Sequence, residues 1–141
     1  MATEYAKILP PKTLTTSPFW DGTKQHKLKA YKCLNCGSYY WPAIDCMKCD
    51  HAKMDWVEVT GRGDIYSFTI IHQVYHPAWK DDVPYNVCWV KLDEGPILIS
   101  NVTGGNNNDL YIGMRVEAVF NDITTEVTLP KFKPVTGPTL F

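Results

Sequence analysis

From Asp64 onward apolar and polar positions alternate in short runs: DIYSFTIIHQVY (64–75), NVCWVKL (86–92), PILIS (96–100), MRVEAVF (114–120) and TEVTL (125–129). A period of two, carried by β-branched and aromatic residues, predicts strands. Asp93-Glu94-Gly95-Pro96 reads as the turn between the second and third runs. Gly104-Gly105-Asn106-Asn107-Asn108 is a loop, and Gly113 sets a tight entry to the fourth run. Five short strands with one longer connection between the third and fourth predict a small Greek-key barrel of the OB type, and no long helical pattern interrupts them.

Upstream the pattern differs. Residues 1–16 hold Pro10-Pro11 and a Thr-rich stretch with no period that buries a face, which predicts an extended arm. Ser17 before Pro18 is a candidate N-cap with proline in the first turn, predicting a short helix that carries Phe19 and Trp20 and is weakened by Gly22. From Leu28 the alternation Leu-Lys-Ala-Tyr-Lys-Cys predicts a strand leading to Cys33. LPKFKPVTGPTLF, with three prolines and no alternation, closes the chain as an expected extended tail over the surface or into a neighbour. The expected class is mainly β. Its expected parts are an arm and short helix (1–32), a metal module (33–59), a five-stranded barrel (60–130) and a tail (131–141).

The totals narrow the chemistry. A chain of 141 residues with 45% hydrophobic content is one domain's length and can build a core. No apolar run approaches the roughly 20 residues of a membrane helix, and MATEYAKILPPK lacks the apolar stretch of a signal peptide, so the expected location is cytoplasmic. Reducing cytosol disfavours disulfides, and the five cysteines are an odd number, so four of them point to a metal. A net charge of −1 gives no global field for a phosphate backbone, whereas five Trp and eight Tyr suit a protein interface.

CLNCGSYYWPAIDCMKC (33–49) carries the metal signal. Each Cys-x-x-Cys turn presents two thiolates on one side of a tight loop, and Cys33, Cys36, Cys46 and Cys49 together make a tetrahedral set for zinc. Gly37 and Asp50, each just past a pair, suit the backbone bend that aims amides at sulfur. The spacer is shorter than in commoner zinc patterns, which predicts a minimal ribbon. Rubredoxin-type iron takes the same four ligands, and His51 could replace one of them. Four protein ligands leave no open position, so the ion is read as structural.

Other candidates are weaker. Cys88, inside a strand, reads as a small buried apolar residue, and nothing local pairs it with His72 or His76 as a base. His72, Tyr75, His76 and Trp79 read as a loop with aromatic anchors in preference to a substrate site, and Asp81-Asp82 as a solvated pair. Gly61-Arg62-Gly63 precedes a strand, so it is not a dinucleotide fingerprint, and no catalytic residue is assigned. Lys24, Lys27, Lys29 and Lys32 are solvated by default. They could also meet a polyphosphate such as coenzyme A, or single-stranded nucleic acid stacked on Tyr39, Tyr40 and Trp41.

Taken in order, Phe19-Trp20-Asp21-Gly22, the two cysteine pairs, Gly61-Arg62-Gly63, Tyr66-Ser67-Phe68-Thr69, Pro84-Tyr85, Leu92-Asp93-Glu94-Gly95 and Gly113-Met114-Arg115-Val116 resemble the zinc-ribbon and OB-fold proteins associated with acyl-CoA enzymes, catalogued as domain of unknown function thirty-five. Pro42-Ala43-Ile44-Asp45 departs from the Pro-Arg-rich approach to the third cysteine found in many members, which removes any arginine ligand role there. The resemblance implies a non-catalytic subunit in a hetero-oligomer with a thiolase-like catalytic chain, or a ketosynthase-like or lipid-transfer-protein-type aldolase, acting on a CoA thioester. Phe19, Trp20, Tyr39, Tyr40 and Trp41 are then the expected partner-binding residues, and Lys24, Lys27, Lys29 and Lys32 the expected contacts to CoA phosphates. The rival expectation is an OB-fold binder of single-stranded nucleic acid.

Overall fold

The computed structural model describes residues 5–50 and 52–135. Pro18, preset for a first turn, starts α1 (Ser17–Lys24). The cap falls one residue earlier than expected: Thr16 is the N-cap and lends the helix no side-chain hydrogen bond. Ser17 is already helical, and its hydroxyl faces Asp21 at 3.3 Å. Gly22 does not break the helix because the site requires it; a Cβ there would stand 3.1 Å from the Lys27 carbonyl oxygen. That close approach lets the chain reverse at once into the ribbon.

The ribbon sheet comprises β1 (Lys29–Cys33), β2 (Tyr39–Tyr40) and β3 (Met54–Glu58), antiparallel in the order β2-β1-β3. Register places Ala30 opposite Val57 and Tyr31 opposite Trp56. Five further strands follow: β4 (Arg62–Ile71), β5 (Tyr85–Leu92), β6 (Ile97–Ser100), β7 (Arg115–Asp122) and β8 (Thr128–Pro134), in the order β6-β5-β4-β7-β8. A bulge between Ile65 and Ser67 bends β4, and the sheet curls until Val102 meets Phe132 in a parallel bridge. Pairing the segment after the third barrel strand with the fifth closes an OB-type barrel, as expected.

Alternation is clearest in β5, where Asn86, Cys88, Val90 and Leu92 are buried. Asn86 is tolerated inside because Val102 satisfies it on both sides: its Nδ2 donates to the Val102 carbonyl at 2.8 Å and its Oδ1 accepts the Val102 N–H at 2.7 Å. Phe19, Leu28 and Ala30 join Ile65, Val90, Leu98, Val116 and Phe132 in one apolar cluster, so helix, ribbon and barrel share a core. Among the described residues no helix is long and apolar enough to cross a membrane.

Two boundaries move. The first barrel strand ends at Ile71, and the last begins at Thr128 and continues to Pro134, through residues expected to be tail. Phe132 has no exposed surface and takes a core position. Pro130 and Pro134 hide the alternation in sequence, but like Phe132, whose N–H donates to the Asn101 carbonyl, they turn their nitrogens away from β7, so the β7–β8 ladder loses no hydrogen bond. The rest of the tail, 136–141, and residues 1–4 of the arm lie outside the described residues.

Candidate metal centre

Cys33 ends β1 and Cys36 follows one tight turn later, closed by the Gly37 N–H donating to the Cys33 carbonyl at 2.7 Å. Gly37 has φ of 82°, the left-handed bend expected at that position. Cys46 and Cys49 arrive on the opposite turn, and all four Sγ atoms lie within 4.8 Å of one another. Cys36 and Cys46 are 3.5 Å apart. A tetrahedral ion at about 2.3 Å from each sulfur requires sulfurs about 3.8 Å apart, so the set fits one zinc. Four thiolates this close repel, and a dication offsets that repulsion.

Neighbouring groups single out individual sulfurs. The Ser38 hydroxyl, 3.3 Å from Cys36 Sγ, is the main reason that thiol is lowered to about 6. Asn35 Nδ2 donates to Cys49 Sγ at 3.2 Å and favours its thiolate. Competition from Cys36 and Cys33 outweighs it, and the Cys49 thiol is pushed up to about 11. The Tyr40 hydroxyl donates to Cys46 Sγ at 3.4 Å and accepts the Met47 N–H at 3.1 Å, and the Lys48 N–H points to the same sulfur at 3.4 Å. His51, the alternative ligand, lies outside the described residues.

The expected partner-binding set divides. Phe19 is only 3% exposed and sits among Trp20, Trp41 and Trp56, with ring centroids at 4.9, 6.0 and 5.8 Å, so it packs in this chain's own core. Tyr40 is also buried, held by the metal centre. Trp20, about 100° further round the helix, packs against the edge of the same core. Trp20, Tyr39 and Trp41 are half-buried. With Tyr40 inside, Tyr39 and Trp41 are the two of the three ribbon aromatics that keep exposed surface.

The lysines also separate. Lys27 lies 3.8 Å from Glu58, and Lys32 lies over the Tyr39 ring at 5.1 Å from its centroid. Lys29 runs its stem past Gly22, and as strand residues an odd number apart Lys29 and Lys32 leave opposite faces of β1. Lys27, Lys29 and Lys32 thus each have a different neighbour within this chain. Cys88 is fully buried, and burial pushes its thiol up to about 11, as suits a small apolar core residue. His76 caps the short turn Pro77–Trp79 by accepting the Ala78 N–H at 3.1 Å, while His72 and Tyr75 are exposed.

What the sequence reading missed is the hydrogen-bonding shell of Asn35, Ser38 and Tyr40. Its one sequence signal is that all three are polar groups placed beside or between ligands, at positions that also suit a turn or an interface.

Comparison with known proteins agrees with this architecture. Residues 20–55 match the family model "ChsH2, rubredoxin-like zinc ribbon domain", and residues 56–121 match "ChsH2, C-terminal OB-fold domain". A "DUF35 domain-containing scaffold protein" of Methanocaldococcus jannaschii is 30% identical over 79% of this chain and 84% of its own length. A "Probable enoyl-CoA hydratase alpha subunit" of Thermomonospora curvata is 35% identical over 88% of this chain, which spans 41% of that relative's length. A solved structure described as "Ltp2-ChsH2(DUF35) aldolase" superposes with a TM-score of 0.79 and 31% identity, covering 89% of this chain and 98% of the other. With the four-thiol ribbon, the barrel and these matches along most of its length, the chain belongs to the DUF35 family of zinc-ribbon and OB-fold proteins.

Proposed function

We propose that this chain is a non-catalytic scaffold subunit of a thiolase-like enzyme complex that makes or breaks a carbon–carbon bond in an acyl-CoA, and that it helps to shape or close the acyl-CoA site. The observation that carries this reading is the match along 98% of a DUF35 chain from a structure described as an aldolase, joined to relatives described as scaffold proteins. The thiolase-type partner follows the family resemblance read from the sequence, which extends to the small subunit of benzoylsuccinyl-CoA thiolase. Cys33, Cys36, Cys46 and Cys49 would hold the zinc, and the bound ion would crosslink the two knuckles. Leu34, Ile44 and Met47 project from those knuckles with 48%, 42% and 78% exposure, beside the half-buried Trp41, and form the docking face in this reading.

Co-expression with candidate thiolase-like chains from the same organism tests the assignment. One of them should co-purify with this chain in fixed stoichiometry, with thioester turnover in the complex and none in this chain alone. Turnover by the isolated chain would overturn the reading. So would failure of Met47→Asp, in a folded and zinc-loaded protein, to weaken co-purification by about tenfold.

A further inference from the structure

A cavity of about 550 Å³ opens on the barrel between the N-terminal arm and the loop from β4 to β5. Tyr5 and Ile8 of the arm, Trp79 of the loop, Tyr85 at the start of β5, and Leu129 and Lys131 of β8 line it. The arm is pinned in place by Lys7, which bonds Asp82 at 2.6 Å and stands 5.9 Å from the centroid of the Trp79 ring. This is the barrel face flanked by the first and last interstrand loops, where OB folds present ligand grooves.

The polar groups of the cavity are mostly committed. Asn86 Nδ2 donates to Asn107 Oδ1 at 3.0 Å, and Asn107 Nδ2 to the Pro84 carbonyl at 3.0 Å. Lys131 is different. Its Nζ donates to Asn101 Oδ1, and among the described residues it has no ion pair, because Asp82 is taken by Lys7. An ammonium has three donors, so two remain. Burial pushes this ammonium below its ordinary range, the Lys7 charge adds to the effect and the Asp82 carboxylate offsets part of it, so an anion seated on Lys131 would favour its charged form.

We propose that this cavity binds a small organic monocarboxylate, with the carboxylate on Lys131 and an apolar body against Trp79, Tyr85 and Leu129. Lys7 and Asp82 on the same rim neutralise each other, which leaves the Lys131 ammonium beside the apolar faces of Trp79, Tyr85 and Leu129, a balance that suits a monoanion; a phosphate would leave oxygens without donors. The site goes beyond the scaffold reading and does not depend on any partner.

The test is a titration of the 141-residue, zinc-loaded, nitrogen-15-labelled chain with phenylacetate, 2-phenylacetamide and inorganic phosphate, followed by two-dimensional amide spectra. Phenylacetate should give saturable shifts at the Trp79 indole N–H and the Asn101 and Lys131 amides, and the neutral amide and phosphate should not. Lys131→Met should weaken phenylacetate by about tenfold or more, while Lys131→Arg retains it. Equal binding of the acid and its amide overturns the proposal on the unaltered protein, whether or not the variants fold. So does equal binding of phosphate, an absence of saturable shifts, or full binding by folded Lys131→Met.

Discussion

At Tyr40 a single hydroxyl serves two partners, donating to Cys46 Sγ and accepting the Met47 N–H. It therefore holds the second knuckle in register with its own sulfur. Tyr40→Phe keeps the buried ring and deletes both bonds, and groups that orient metal ligands are worth about 10- to 100-fold in metal affinity. The expected outcome is zinc bound about tenfold more weakly, read by competition with a chelating dye. An unchanged affinity would show that the hydroxyl only fills space. Phe19 makes the opposite point. A ring that is 3% exposed among three tryptophans contributes to this chain's own stability. Phe19→Ala should cost about 3–5 kcal/mol in urea unfolding of the isolated chain, before any partner is present. A loss of partner binding with unchanged stability would return Phe19 to an interface role.

Among the elements, the crossing of β4 and β5 leaves no room for a side chain at Gly63, where a Cβ would sit 2.3 Å from the Lys91 carbonyl oxygen. Gly63→Ala must push the strands apart, with an expected cost of about 3 kcal/mol or more in thermal or urea unfolding. Near-neutral behaviour would mean that the β4–β5 contact relaxes freely. The ribbon is expected to depend on a bound ion more than the barrel does. Its sheet has one two-residue strand, and a sheet so small needs outside support. Chelation should accelerate amide exchange across β1–β3 while β4, β5 and β7 stay protected; protection retained in β1–β3 would make the ion dispensable. These contrasts explain what could be read in the sequence. The alternation in NVCWVKL and the paired cysteines are local patterns, and both elements appear where expected. The β8 boundary was not local: Phe132 counts as core only because Val102, thirty residues earlier, closes on it. The hydroxyl of Tyr40 was hidden likewise, since its role depends on the fold of the loop that brings Cys46 to it.

For the molecule as a whole, the balance of charge and apolar surface distinguishes the two readings weighed from the sequence. The chain carries a net charge of −1, and its ribbon lysines are dispersed, two of them engaged with Glu58 and the Tyr39 ring. A binder of single strands neutralises phosphates and releases counterions, so its affinity falls steeply with salt. Docking through Leu34, Ile44 and Met47 removes apolar area from water, and that contribution is not screened. Affinity for the proposed catalytic partner should therefore change by less than about threefold between low and moderate salt, as measured by sedimentation, where several phosphate contacts would cost about a thousandfold. The same experiment should show a negative heat-capacity change on association, the mark of apolar burial. A steep salt dependence, or association without a heat-capacity change, would move the docking face from the knuckles to the charged surface of the barrel.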